Sequence, residues 1–207
     1  MLEKIGKYLD DNFLHLAEQK SVLEFGPAWG WMSYIISNRN PSDYTIVEPS
    51  SECIESLRKF IDDTREDRKL FELTYNDYYS LEKKHFDLVL CCGLLYHLHS
   101  PIDLLEKIVN YNTPELLLVT NIEFSETHLS SEIEPVNEVL MRYSDSDISN
   151  PINRNLCISR NDIQKCLTSV GYELVDEITP EKFNSLWNRD SEGIKNYLLL
   201  FKKQINE

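Results

Sequence analysis

The apolar run Val22-Leu-Glu-Phe25 stops at the small-residue turn Gly26-Pro-Ala-Trp-Gly30, and a helical pattern begins at once. A strand that breaks at small residues and enters a helix is the opening unit of an open α/β sheet. It leaves bare backbone where a side chain would collide with a ligand. A second apolar run, Tyr44-Thr-Ile-Val-Glu48, closes on an acid about 20 positions beyond the turn. A carboxylate placed there can accept hydrogen bonds from both hydroxyls of a ribose. Turn, acid and spacing together imply a nucleoside-like ligand.

The pattern on either side extends the same architecture. Ile5, Leu9, Phe13 and Leu16 recur at helical spacing, which predicts an amphipathic helix over about 3–19 that packs beside the first strand. Strands are expected at 21–25, 44–48 and near 70–75, with helices at about 30–38 and 51–62 between them. The run Phe86–Cys92 is apolar after Asp87, as in a central parallel strand covered on both faces. Ser100-Pro-Ile-Asp103 and Ser159-Arg-Asn-Asp162 open further helices, the second ending at Gly171, and the strand Leu116–Ile122 follows Pro114. Residues of about 124–157 are irregular and serine-rich, an insertion on the acceptor side of the sheet or an ordinary surface excursion. Closing strands at 172–178 and 196–202, joined by a short connection containing Trp187, suggest an antiparallel, hairpin-like edge. The expected fold is one α/β domain over 1–207.

The turn itself narrows the ligand. In the dinucleotide fingerprint a third glycine allows close helix–strand packing and the helix start faces a pyrophosphate, but here that position is Trp31 and no G-K-[ST] follows. A nicotinamide-dependent reductase is opposed on that ground, and a phosphate-free nucleoside fits better. At these residues the chain resembles the class I S-adenosylmethionine-dependent methyltransferases. Glu24, Gly26 and Gly30 match that family's first motif, with Ala28 in place of the middle glycine. The resemblance continues through Glu48, through Asp77 in Leu73-Thr-Tyr-Asn-Asp-Tyr78, and through Phe86–Leu98, which is similar to the fourth motif.

The resemblance implies a Rossmann-like three-layer sandwich, a mostly parallel seven-stranded sheet with an antiparallel edge strand, and S-adenosylmethionine as cofactor. It also implies cofactor contacts from Glu24, Gly26, Ala28, Gly30, Glu48, Pro49, Asp77, Tyr78 and Cys92. Glu48 would hold the ribose, while Asp77 and the Tyr78 amide would read the adenine. Two local alternatives stand beside these: Glu48 as a carboxylate serving the helix after Pro49, and Asp77 in a plain Asx turn. Trp29 and Trp31 would roof the cofactor, although helix packing explains Trp31 equally well.

Methyl transfer from a sulfonium needs alignment above all, and a base only where the acceptor must lose a proton. His97 in Gly93-Leu-Leu-Tyr-His-Leu-His99 stands just past the central strand, and its ordinary pKa suits proton removal near neutrality. Tyr96 would orient the acceptor or pack on the methionine chain, and Glu123 would hold a cationic acceptor, assist His97 or bind Mg²⁺. The bland reading makes Tyr96 and His97 parts of a strand-to-helix turn and Glu123 an exposed loop acid. Glu126 and His128 make no metal motif, so the expected chemistry is metal-independent.

Composition sets the partners. Twenty-one Lys and Arg against 35 Asp and Glu give a formal charge of −14, which opposes approach to a phosphate backbone. Five cysteines lie at 53, 91, 92, 157 and 166 without C-x-x-C spacing, as expected of reduced, buried thiols. Acids near the start and the lack of a long apolar run predict a cytoplasmic protein that does not enter membranes. The reading is a methyltransferase acting on a small molecule, a metabolite or saccharide, at oxygen, nitrogen or carbon. The alternatives are a tRNA or other nucleic-acid modifying enzyme, which Leu95-Tyr-His-Leu98 also resembles, and a non-catalytic S-adenosylmethionine-binding partner protein. Nothing in the pattern chooses between monomer and homodimer.

Overall fold

The computed structural model describes residues 2–61, 66–73, 77, 81, 85–95, 98, 101–111, 113–122, 160–179, 181–182 and 195–204. Along these run α1 (Leu2–Asn12), a 3-10 turn (Leu14–Ala17), β1 (Ser21–Phe25), α2 (Trp31–Asn38), β2 (Asp43–Glu48) and α3 (Ser51–Leu57). They are followed by β3 (Arg68–Glu72), β4 (Leu88–Cys92), α4 (Pro101–Val109), β5 (Glu115–Ile122), α5 (Arg160–Ser169), β6 (Tyr172–Ile178) and β7 (Lys195–Lys203).

The seven strands form one sheet in the order β3-β2-β1-β4-β5-β7-β6. Pairs β1–β2, β1–β4, β2–β3 and β4–β5 are parallel, whereas β7 runs antiparallel to both β5 and β6. The fold is therefore the expected Rossmann-like α/β sheet with an antiparallel pair closing one side. Alternation along the strands divides the core into two layers. Val22, Tyr44, Ile46, Leu88, Leu90, Leu198 and Leu200 pack with α1, α2 and α3 residues such as Leu9, Met32, Ile36 and Leu57. Leu23, Phe25, Val47, Val89, Cys91, Leu199 and Phe201 pack on the other face with Leu104, Leu105 and Ile108 of α4 and Ile163 and Leu167 of α5.

Three boundaries differ from the sequence expectation, each for a local reason. The expected helix over 3–19 stops at Asn12, whose side-chain amide donates to the Tyr8 carbonyl at 2.7 Å and competes with the helix. Phe13 leaves helical geometry, and the buried stripe changes phase: Leu9, Phe13, Leu14 and Ala17 are enclosed and Leu16 is only half-buried. The α3 helix ends at Leu57 and gives way to turns that reach Ile61. Strand β3 begins at Arg68 and ends at Glu72, earlier than the apolar pattern indicates. Its first pairing residue is a buried arginine whose guanidinium donates to the Pro41 carbonyl and to Asp67. The insertion at about 124–157 and the Trp187 connection lie outside the described residues.

Candidate functional site

In the parallel half of the sheet the carboxyl ends of β3, β2, β1 and β4 lie side by side, and the chain crosses over between β1 and β4. Open α/β sheets bind ligands in the crevice at such a crossover. The turn Gly26–Gly30 leaves β1 there, Glu48 ends β2, and Cys92 ends β4 half-buried, one residue past Cys91, which pairs with Phe25. Asp77, beyond the end of β3, is exposed.

The turn is built from left-handed backbone. Gly26, Ala28 and Gly30 have φ of 64°, 51° and 81°, and Gly93 beyond β4 has 82°. Glycine tolerates this region without steric cost, while Ala28 occupies it with a methyl group. The Gly26 amide donates to the Val47 carbonyl at 2.9 Å, which holds the turn against β2. Gly30 is required by packing: a Cβ there would lie 2.2 Å from Leu57 Cδ2 in the buried side chain of α3. Its place in the motif thus has a structural reason of its own.

Glu48 is buried, and its two oxygens have different tasks. Oε2 accepts from the Ala28 amide at 3.0 Å and Oε1 from the Ser50 amide at 2.9 Å. The carboxylate thus braces the turn from the side and serves the start of α3, where Ser50 Oγ in turn accepts from the Cys53 amide. Burial pushes its pKa above the ordinary carboxylate value, and the two backbone amides oppose that rise. A carboxylate has about four lone-pair sites, so two bonds leave acceptor capacity for a ligand.

Glu24, at the end of β1, is the more deeply enclosed of the two acids beside the turn. Its side chain is fully enclosed, so no part of it is open to a ligand in this structure. Oε2 accepts from Ser33 Oγ at 2.6 Å and from the Tyr44 hydroxyl. Oε1 is buried with no partner among the described residues. Burial pushes the pKa up to about 7 against the lowering effect of the two hydroxyls, and the nearby Glu48 charge adds to the rise. Ser33 and Tyr44 are site residues that the sequence reading missed. The strand register carried a signal for one of them: Glu24 pairs with Ile46, so Tyr44, two residues earlier, shares its face.

Trp29 is half-exposed on the turn, and Pro49 is partly buried beyond Glu48. His97, Tyr96, Glu123 and Tyr78 lie outside the described residues. Among the described residues, no group of three or more His, Cys, Asp and Glu is arranged to hold a metal, and no helix is long and apolar enough to cross a membrane.

A family model described as a methyltransferase domain matches residues 1–177. The chain belongs to the methyltransferase family. Its fold is that of the class I, S-adenosylmethionine-dependent enzymes, as solved structures of low identity illustrate. The N-terminal domain of EvdMO1 with S-adenosylhomocysteine bound superposes with a TM-score of 0.65 at 18% identity, covering 96% of this chain and 81% of that one. Magnesium protoporphyrin IX methyltransferase from Synechocystis PCC 6803, with bound S-adenosylmethionine, gives 0.61 at 11% identity over 98% of this chain and 78% of that one. The [4+2]-cyclase SpnF gives 0.65 at 10% identity over 99% and 82%. The methyltransferase chain spans 40% of the longer EvdMO1 structure. A search of curated proteins finds no match.

Proposed function

We propose that this methyltransferase binds S-adenosylmethionine at the carboxyl edge of β1, β2 and β4 and transfers its methyl group to a small molecule. The observation that supports this most directly is the left-handed turn Gly26–Gly30, braced by Glu48 at the crossover of the sheet. The turn leaves backbone free of bulky side chains except at Trp29, and Glu48 keeps acceptor sites for ribose hydroxyls. Asp77, the Tyr78 amide, Pro49 and Cys92 are the remaining residues proposed to line the nucleoside. Glu24 is given a supporting part, because it is sealed beneath the turn.

When bound, the sulfonium supplies an already activated methyl group. The chain's own contribution is to align the acceptor, which supplies several kcal/mol by effective concentration. His97 is proposed to take the acceptor's proton, Tyr96 to orient the acceptor, and Glu123 to hold a cationic group or assist His97. Their place in the chain supports the assignment: Tyr96 and His97 follow β4, and Glu123 follows β5, at the ligand-binding edge. A small, non-nucleic acceptor is favoured by the net charge of −14.

Calorimetric titration with S-adenosylmethionine, S-adenosylhomocysteine and NADH tests the cofactor. Binding of the first two without the third is expected, and binding of NADH alone overturns the reading. His97→Ala is expected to leave S-adenosylhomocysteine affinity intact and lower turnover by roughly 10²–10⁴-fold. If affinity and turnover fall together, His97 belongs to the turn and not to the chemistry.

A further inference from the structure

The carboxylate that ends β1 joins three elements around the turn. Glu24 belongs to β1 immediately before the turn, Ser33 to the first part of α2 immediately after it, and Tyr44 to β2, the strand that carries Glu48. Both hydroxyls donate to the same oxygen, Oε2, while Oε1 is buried without a partner among the described residues. Two donors on one oxygen is an arrangement suited to an ionised acceptor. The neutral acid must place its proton either on Oε1, where no acceptor lies among the described residues, or on Oε2, where it donates to one hydroxyl oxygen and reverses that bond, so that two charge-assisted bonds become weaker neutral ones. Ionisation and protonation therefore favour different arrangements of Ser33 and Tyr44.

We propose that Glu24 is a positioning residue that couples the cofactor turn to proton binding: its ionised carboxylate clamps α2 and β2 around Gly26–Gly30, and protonation weakens the clamp. This rests on the reading of that turn as the cofactor site. Among the described residues, the charged and titratable groups around Glu24 are Tyr44 and Glu48 of β2 and Cys91 of β4, with Cys92 beside Tyr44 and the neutral Ser33 hydroxyl from α2. Burial pushes Cys91 far up, and burial beside Glu24 also pushes Tyr44 well up, so neither titrates near neutrality. Burial raises Glu48 as well, and it is the group whose titration must be separated from that of Glu24. Glu24 itself is held at about 7, within the range where a cell's pH varies.

The test is calorimetry with S-adenosylhomocysteine on the full chain between pH 5.5 and 8.5, with the titration of the ligand's own α-amino group measured separately and subtracted. Affinity is expected to rise about tenfold with pH in the wild type, corresponding to a one-unit drop of the Glu24 pKa on binding. The rise should be clearly smaller in Glu24→Gln, where Glu48 is left to titrate, should persist in Glu48→Gln, and should vanish in the double variant. Ser33→Ala and Tyr44→Phe each remove a donor to the charged form, so the midpoint should move to higher pH; these variants decide the matter if Glu24→Gln fails to fold. A wild-type affinity independent of pH, a slope undiminished in Glu24→Gln, or a midpoint unmoved by both hydroxyl deletions overturns the inference alone. Absence of binding at every pH overturns the cofactor reading and this inference with it.

Discussion

At the scale of single residues, the turn after β1 separates two reasons for being small. Ala28 carries a methyl group into left-handed backbone at φ 51°. Such a conformation costs an L-residue about 1–2 kcal/mol, of which glycine's extra chain entropy returns about 0.5–1. Ala28→Gly is therefore expected to stabilise the chain by about 0.5–1 kcal/mol in urea unfolding. Gly30→Ala should do the reverse, losing about 2–4 kcal/mol through backbone strain and the collision with Leu57, and Leu57→Ala in the same chain should recover part of that loss. Glu48→Ala removes the brace on Ala28 and Ser50 together with the proposed ribose acceptor, and S-adenosylhomocysteine affinity should weaken by about 2–4 kcal/mol. Unchanged affinity in calorimetry would remove Glu48 from the site. The sequence made Gly26, Gly30 and Glu48 legible because their spacing is local to one β-α-β unit. It could not show that Glu24 is enclosed, since that depends on Ser33 and Tyr44, which bond it from two other elements.

At the scale of elements, strands were more legible than helices, and the reason is burial. Strands β1, β2 and β4 are covered on both faces, so they are written as apolar runs with sharp ends. Strand β3 lies at the edge of the sheet and opens on Arg68 and Lys69, so its apolar signal begins late. Helix α1 misled because Leu16 keeps helical spacing with Phe13 and Leu9 although the helix has already ended. The Asn12 side chain bonds the Tyr8 carbonyl at its end, and Phe13 then turns out of helical geometry. Short α3 depends on its start: Ser50 caps the Cys53 amide, and Ser50→Ala should cost about 1 kcal/mol in chemical unfolding. A loss much below that would mean that Glu48, through the Ser50 amide, already suffices to hold the first turn.

At the scale of the whole molecule, two effects act against the fold as pH rises. The first is local: the carboxyl of Glu24 is ordinarily near 4.5 and is held at about 7 when folded. Its raised value contributes stability that is complete below about 4.5 and lost as pH rises through about 7, roughly 3 kcal/mol over that window. The second is the self-repulsion of a chain with a formal charge of −14, which salt screens. Thermal melts between pH 5 and 8 should show declining stability in the wild type, with the part that survives added salt reduced in Glu24→Gln to what the raised carboxyl of Glu48 supplies. The order of the strands has a different consequence, one for the time course of synthesis. Strand β6 is made before β7, yet β7 is the strand that joins it to the rest of the sheet. Until Lys195–Lys203 leaves the ribosome, β5 presents an open backbone edge and β6 has no strand to zip onto. Both are therefore open to mispairing for as long as the last stretch is being translated. A nascent chain stalled before Lys195 should be readily cut by protease within β5 and β6, and one carrying a C-terminal extension that brings Lys203 out of the ribosome should resist in those two strands.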